Sequence, residues 1–170
     1  MATVVPLIVI TGPTASGKSG LALELAQKYD GEIICADSRT VYKGMDIGTA
    51  KPSAKERSQI PHHLLDVVKP NERFTAADFQ RLSRTAIDDI RRRGKVPFLV
   101  GGTGLYIDGI VLDYEFGADV DPQKHKLLEE KSVEELASLI KELQITMPTN
   151  MLNKRHLIRA IELNGSKSNA

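Results

Sequence analysis

Eight residues near the N-terminus, Gly12 to Ser19, have the types and spacing of a loop that binds phosphates. They read GPTASGKS and fit the pattern G-x-x-x-x-G-K-[ST]. In such a loop, backbone N–H groups and the start of the next helix converge on an anion, and the lysine adds a full positive charge. The serine hydroxyl can bind Mg²⁺. We therefore predict a phosphate site, with Ser19 as the metal-binding residue, formed by Gly12, Pro13, Thr14, Ala15, Ser16, Gly17, Lys18 and Ser19.

The residues after a later apolar run bear on which phosphates are bound. P-loop hydrolases and many kinases carry an acidic residue at the end of a later strand, where it holds Mg²⁺. Here the run VPFLV is followed by Gly101-Gly102-Thr103-Gly104, without a carboxylate. This favours a loop that holds a departing diphosphate over one that holds a donating triphosphate. A kinase that takes its carboxylate from elsewhere stays an alternative.

Two polar residues are candidates for the chemistry beside this loop. Asp37 directly follows the run EIICA, and Thr103 lies between glycines after VPFLV. Ligands of open α/β sheets gather at the carboxyl ends of the strands, so Asp37 is a candidate general base or an outer-sphere Mg²⁺ ligand. Capping a turn with Ser38 is an equally good reading of Asp37. The glycines around Thr103 permit close approach of the backbone to a ligand, and a plain turn is the alternative.

The adjacent histidines His62 and His63 could suggest a metal. Neighbouring side chains on an extended chain point in opposite directions, so structural hydrogen bonds are the better prediction.

The elements around these residues predict a P-loop NTPase-like α/β fold, in which helices flank a parallel sheet. Three apolar runs read as strands buried on both faces, at 6–10, 32–36 and 96–100. A helix is expected from the phosphate loop to about Tyr29. Another starts at Thr75 and Asp78, which resemble a capping box, and ends at Gly94.

The rest of the chain has weaker patterns. Residues 37–73 are polar and irregular, and residues 108–122 look like a loop. Two short helices are expected, one capped by Ser132 with Glu135 and one over 153–163. We predict a core over 1–112, a reduced helical segment over 113–165 that packs on it, and a disordered tail over 166–170.

Composition excludes several classes of protein. The 170 residues carry a net charge of +1, so any nucleic-acid contact must come from a local basic patch. The single cysteine, Cys35, allows no intramolecular disulfide, and nothing indicates an oxidising compartment. The N-terminal apolar run is too short to span a membrane. A cytoplasmic protein without membrane contact is expected.

Five stretches together resemble the tRNA dimethylallyltransferase (isopentenyltransferase) family. They are GPTASGKS, ADSRTVYKGMDIGTAKP, IPHHLLD, FTAADF and VGGTGLYIDGI, in family order over residues 4–110. The resemblance implies that the loop holds the diphosphate of dimethylallyl diphosphate. The N6 amine of the adenosine next to the 3′ side of the tRNA anticodon attacks the allylic carbon, and pyrophosphate leaves with Mg²⁺.

The resemblance also implies roles for individual residues. Asp37 would be the base that orients or deprotonates the amine, and Thr103 would lie where the two substrates meet. The segment 113–165 would be a reduced tRNA-binding part, in which His125 stands where the family has an arginine. The residues implied to contact tRNA are Asp37, Ser38, Arg39, Thr40, Thr103, His125, Arg155 and Arg159.

The second half departs from the family pattern, and family members continue well beyond Leu163. The chain is thus expected to be a short or C-terminally truncated member, with tRNA and dimethylallyl diphosphate as partners and a monomeric state. Three alternatives stay open: an adenylate isopentenyltransferase acting on free AMP, ADP or ATP, a small-molecule kinase, and a truncated module that binds without turnover.

Overall fold

The sheet and its helices follow the order that the apolar runs indicate. The computed structural model describes residues 5–114, 116 and 121–163. Its strands are β1 (Ile8–Thr11), β2 (Gly31–Ala36), β3 (His62–His63) and β4 (Val96–Gly101). Its helices are α1 (Lys18–Lys28), α2 (Ala54–Gln59), α3 (Ala76–Arg92), α4 (Gly104–Val111), α5 (Pro122–Glu129), α6 (Val133–Glu142) and α7 (Lys154–Glu162).

The four strands form one parallel sheet in the order β1-β4-β2-β3. The central strand β4 pairs with β1 on one side and β2 on the other, and Gly101 is the partner of both Thr11 and Ala36. Three strands therefore end at the same level. The segments that follow them, which carry the phosphate loop, Asp37 and Thr103, begin at one edge of the sheet. The predicted parallel α/β fold is confirmed.

Alternating side chains of β2 and β4 build a core on each face of the sheet. Ile33 and Phe98 pack with Ala22 and Ala26 of α1 on one face. On the other face, side chains of the same strands pack with α3 and α4 in a cluster of buried residues that comprises Ile34, Ala36, Leu64, Phe79, Ile87, Ile90, Leu99, Tyr106 and Ile107. Burial of β2 and β4 on both faces agrees with their continuous apolar runs.

Strand β1 differs from the prediction in its surroundings. The sequence predicts burial on both faces, but β1 has only β4 as a neighbour in the described sheet, and Val9 is 37% exposed. The run of apolar residues indicated a strand correctly. The prediction that both faces of β1 are buried is wrong, because an apolar run does not determine the position of the strand in the sheet.

Regular structure also occurs in two places where a loop was predicted. The segment 37–73 contains α2, which starts with a capping box of Ser53 and Glu56, and the short strand β3. Helix α4 occupies the beginning of the stretch 108–122, and α5 starts at its end. Helix α2 has no buried residue, so it leaves no apolar periodicity in the sequence.

The helix starts predicted from capping residues are confirmed. Thr75 and Asp78 form a complete capping box at the start of α3, and Ser132 and Glu135 form one at the start of α6. In each box the hydroxyl accepts the backbone N–H of the third helical residue, whose carboxylate accepts the N–H of the cap.

The chain divides into two compact units, Met1–Tyr114 and Glu115–Ala170. The second has its own apolar cluster, contributed by α5, α6 and α7 and comprising Leu128, Leu136, Ile140, Leu157, Ile158 and Ile161. The packing of the segment 113–165 on the core stays a prediction, and the tail 166–170 lies outside the described residues. None of the described helices is long and apolar enough to cross a membrane.

Candidate active site

The predicted phosphate-binding residues 12–19, which we call the phosphate loop, run from the end of β1 into the first residues of α1 and take an unusual backbone path. Gly17, at the N-cap of α1, has φ +81°, and Ala15 has φ +64°, which is rare for a residue with a side chain. The N–H of Ser16 donates to the carbonyl of Pro13 at 3.3 Å. The Lys18 ammonium donates to the same carbonyl at 3.0 Å. The loop is therefore curled over the start of α1, with the lysine charge held against it.

A cleft of about 830 Å³ lies over this loop. All eight predicted phosphate-binding residues line it, together with Asp37, Ser38, Arg39, Thr40 and Thr103. The structure thus brings the sequence-predicted residues of the first unit to one cavity. Their binding and catalytic roles stay predictions.

The glycines before Thr103 permit close approach between backbone segments of the protein itself. Their close approach to a ligand stays a prediction. A Cβ on Gly101 would lie 2.0 Å from the carbonyl oxygen of Ala36, and one on Gly102 would lie 3.2 Å from that of Gly12. Gly101 therefore lets β4 pass beside the end of β2. Gly102 brings the strand end against the beginning of the phosphate loop.

Thr103 joins the ends of β4 and β2. It is the N-cap of α4, but its hydroxyl makes no cap hydrogen bond. Instead the hydroxyl oxygen accepts the backbone N–H of Ser38 at 3.0 Å, and the N–H of Thr103 donates to the carbonyl of Ala36 at 3.2 Å. The hydroxyl proton of Thr103 remains available to a ligand, because the oxygen acts as an acceptor in this contact.

Asp37 caps the turn that follows β2. Its Oδ1 accepts the backbone N–H of Arg39 at 2.8 Å and that of Thr40 at 3.3 Å. Turn capping, one of the two readings of Asp37, is therefore present. The other oxygen, Oδ2, has no hydrogen-bond partner within the described part of the chain. Capping through one oxygen leaves the second free to accept a proton.

Lys51, a residue that sequence analysis did not single out, lines the cleft and connects parts of its wall through three hydrogen bonds. Its side chain is 1% exposed, and its ammonium donates to Asp46 Oδ1 at 2.7 Å, to Asp66 Oδ1 at 2.8 Å and to the Tyr42 carbonyl at 2.9 Å. Burial by itself would lower the pKa of Lys51, but the bonds to Asp46 and Asp66 raise it above its ordinary value. Lys51 stays charged and ties the segment 42–51 to Asp66.

His62 and Cys35 also line this cleft. His62 Nδ1 donates to the carbonyl of Ile60 at 2.7 Å, and burial lowers the pKa of this imidazole. Burial raises the pKa of the Cys35 thiol to about 12, so it is a neutral, unreactive group at pH 7. His63 bonds instead to Glu32, at 2.7 Å, so the two histidines make the structural hydrogen bonds that were predicted.

The cation and histidine candidates of the second unit make contacts within it. His125 bonds to Glu162 and lies 3.2 Å from Glu129, and Arg159 lies 3.8 Å from Glu162. The side chain of Arg155 is exposed and has no ion pair in the described residues. Of the three, Arg155 is the one whose charge is free for an external anion, and the tRNA contacts of all three stay predictions.

Comparison with known proteins gives the context of this cleft. The model of the IPP transferase family matches residues 40–169. A protein named tRNA dimethylallyltransferase 1 from Trichlorobacter lovleyi is 48% identical over 163 residues, which cover 92% of this chain and 53% of that protein. The tRNA dimethylallyltransferase of Anoxybacillus flavithermus is 45% identical, with 92% and 51% covered.

Solved structures agree with this relationship. The tRNA isopentenylpyrophosphate transferase of Bacillus halodurans is 40% identical with a TM-score of 0.64, over 92% of this chain and 54% of that one. A eukaryotic dimethylallyltransferase acting on tRNA is 33% identical with a TM-score of 0.78, over 95% and 42%. The chain spans about half the length of the curated relatives it matches. On the extent of the family match, which covers residues 40–169 and includes Thr103, this chain belongs to the IPP transferase family.

Proposed function

We propose that this chain transfers a dimethylallyl group from dimethylallyl diphosphate to tRNA. The acceptor is the N6 amine of the adenosine next to the 3′ side of the anticodon, and pyrophosphate is released. One observation carries the proposal: the phosphate loop, the Asp37 carboxylate and the Thr103 hydroxyl line one cleft. The relatives are named for dimethylallyl or isopentenyl transfer involving tRNA, which supports this reaction over kinase chemistry.

The loop would bind the diphosphate and stabilise the charge that grows on it. Gly17 and the first turn of α1 offer backbone N–H groups, because a helix start leaves these donors without partners. Lys18 would exchange the Pro13 carbonyl for a phosphate oxygen. As the bond between the allylic carbon and the diphosphate oxygen breaks, that oxygen takes the electron pair, and the cationic loop stabilises the leaving pyrophosphate.

Asp37 would accept the proton that the amine loses. The N6 lone pair of adenine is delocalised into the ring, so the amine becomes nucleophilic only as its proton is withdrawn. The new N6–carbon bond forms while the proton moves to Oδ2 of Asp37, the oxygen without a partner in the described residues. The N–H groups of Arg39 and Thr40 hold the carboxylate in place through Oδ1.

The donors in the cleft fit a Mg²⁺ ion that is bound mainly through the substrate. No group of three or more histidine, cysteine or acidic side chains that could hold a metal occurs among the described residues. Mg²⁺ is commonly held by one or two protein oxygens together with substrate phosphates and water. The Ser19 hydroxyl would supply such an oxygen, and the ion would neutralise charge on the leaving pyrophosphate.

The setting of the reaction forms part of the same proposal. Because the acceptor is tRNA, we expect the protein to act in the cytoplasm. We also expect it to act as a monomer, which sedimentation velocity would test.

Incubation of the protein with dimethylallyl diphosphate and Mg²⁺ tests the proposal. We expect prenyl transfer to tRNA, detected as N6-dimethylallyladenosine after nuclease digestion, and no transfer to AMP. Lys18→Ala should abolish both transfer and pyrophosphate binding. Ser58→Ala is the control, since Ser58 is exposed on α2 and its hydroxyl hydrogen-bonds only to the Lys55 carbonyl among the described residues.

The other outcomes identify the alternatives. Transfer to AMP, ADP or ATP in preference to tRNA would indicate an adenylate isopentenyltransferase. Phosphate transfer from ATP would indicate a kinase. Pyrophosphate binding without any transfer would indicate a module that binds without turnover, and each of these results contradicts the proposal.

A further inference from the structure

The charges of the segment 37–73 are partnered unevenly. The segment contains five acidic residues, and each of them accepts a hydrogen bond within the protein: Asp37, Asp46, Glu56, Asp66 and Glu72. Of its seven cationic residues, only Lys51 and Arg57 are paired with these acids. All the acidic side chains of the segment thus have partners within the protein, whereas most of its cationic side chains are exposed to solvent.

Three of the remaining cations lie on backbone segments that are connected to one another, beginning at Arg39 in the cleft lining. Arg39 lines the cleft and begins a turn that closes with the N–H of Tyr42 donating to its carbonyl. Lys43 comes next, and its N–H donates to the carbonyl of Val68 at 2.8 Å. Lys69 follows Val68 and begins the neighbouring turn. We call Arg39, Lys43 and Lys69 the basic strip.

Backbone pairing holds the basic strip together. Tyr42 and Val68 form a parallel bridge, so Lys43 and Lys69 occupy the next positions on two segments of the chain that run side by side. Residues at matching positions of parallel chains lie on the same face. All three side chains are exposed, and none has an ion pair or side-chain hydrogen bond in the described residues.

We propose that the basic strip binds the phosphate backbone of the RNA that presents its adenosine to the cleft. This rests on the proposed function, since it takes tRNA as the substrate. Cations without internal partners are available to external anions, and a strip that begins at Arg39 in the cleft lining fits a polyanion whose one base enters the cleft. The strip binds phosphates without reading bases, so it orients the RNA and contributes no sequence preference.

The proposal predicts a defined change in salt dependence. Each cation that neutralises a phosphate adds roughly 0.7 to 0.9 to the slope of log affinity against log salt concentration. The double variant Lys43→Gln with Lys69→Gln should make this slope shallower by about 1.5. The ratio of wild-type affinity to variant affinity should therefore be about 30-fold larger at 0.1 M salt than at 1 M salt. Arg39 is kept intact because it lines the cleft.

The experiment measures fluorescence anisotropy of a labelled anticodon stem–loop RNA across salt concentrations. The matched control is Lys28→Gln with Arg92→Gln, which removes the same charge from exposed positions near the ends of α1 and α3. We expect the control to bind like the wild type. Pyrophosphate affinity, measured by calorimetry, should be unchanged in both double variants, since neither touches the phosphate loop.

Each result separates this proposal from the one on which it rests. If the wild type binds no RNA, both fail, while pyrophosphate binding still reports on the loop. If the wild type binds RNA and the strip variant keeps the full slope, only the basic strip is refuted. A strip variant that binds RNA normally but loses affinity for poly-glutamate would assign the strip to an acidic protein partner, and would overturn the proposal.

Discussion

At the scale of single residues, Asp37 shows how one side chain can serve the fold and offer chemistry at once. Its Oδ1 caps the turn after β2 through two backbone N–H groups, while Oδ2 has no partner among the described residues. The turn capping uses Oδ1, and the proposed proton transfer would use Oδ2. A substitution that keeps the first oxygen and changes the second therefore separates them.

Asp37→Asn is that substitution. The amide oxygen can still accept the N–H groups of Arg39 and Thr40, but the side chain can no longer take a proton. We expect turnover to fall by roughly 10²–10⁴-fold, the contribution of a general base, with little change in pyrophosphate affinity. Steady-state prenylation kinetics measure the first and calorimetry the second. Near-normal turnover in this variant would mean that Asp37 only caps the turn and is not the general base.

Lys51 is the second residue whose surroundings make a quantitative prediction. Replacing it with methionine keeps the aliphatic stem but leaves Asp46 without its ion pair and Asp66 with Arg57 alone. Since charged hydrogen bonds are lost, we expect Lys51→Met to lower the free energy of unfolding by about 2 kcal/mol. Urea denaturation measures the change.

Lys55→Met is the control for Lys51→Met, because Lys55 is exposed and has no side-chain partner among the described residues. It should change stability by less than about 0.5 kcal/mol. Equal effects of the two variants would mean that the buried ammonium does not hold the cleft wall.

At the scale of elements, a buried carboxylate connects β2, β3 and the end of α3. Glu32 is 1% exposed, bonds to His63 Nε2 at 2.7 Å, and forms a two-pronged ion pair with Arg93 that includes a 2.9 Å contact. Burial raises the pKa of Glu32, but Arg93 and His63 together lower it more, so its pKa lies below its ordinary value. The carboxylate stays charged within the protein because its partners replace water.

The direction of this pKa shift predicts how stability changes with pH. A carboxyl whose pKa is lower in the folded chain stabilises the fold above its ordinary pKa of 4.5, and this contribution is lost as pH falls through the folded value. Glu32→Gln should therefore destabilise the protein at pH 7 by roughly 3 kcal/mol. The difference from the wild type should shrink below about pH 4.

Chemical denaturation at several pH values tests the Glu32 prediction. Asp89→Asn serves as the control, because Asp89 also bonds to Arg93 but is about half exposed. It should cost less than about 1 kcal/mol. A Glu32→Gln effect that is the same at pH 3 and pH 7 would contradict a stabilising charge on Glu32.

At the scale of the whole molecule, the two units have separate cores. The first contains both apolar clusters of the sheet, and Gln80 donates to the carbonyls of Gly109 and Tyr114, which anchors the end of that unit. The second has one cluster of aliphatic side chains from three helices. A unit with its own core can in principle fold alone.

A chain that ends at Tyr114 tests this independence. It contains the sheet and every residue that lines the cleft, so we expect cooperative unfolding and pyrophosphate affinity equal to that of the full chain. Circular dichroism during thermal unfolding and calorimetry measure the two. Loss of cooperative unfolding would show that the first unit depends on the second.

Local sequence determined the features whose physical causes lie within a few residues. The phosphate loop is specified by eight consecutive residues, and the starts of α3 and α6 by reciprocal hydrogen bonds between residues three apart. The strands β2 and β4 were found because continuous apolar runs suit strands covered on both faces. Asp37 and Thr103 were found as site candidates because parallel strands present their carboxyl ends at one edge.

Only the tertiary structure decided the features that depend on distant partners. The exposure of Val9 follows from the place of β1 in the sheet, which its own residues do not encode. Lys51 stays charged although it is buried, because it pairs with Asp66, 15 residues away. Thr103 accepts the N–H of Ser38, which is 65 residues away. Such contacts leave no periodicity or spacing in the chain, because they arise only when separate strand ends and loops are brought together by packing.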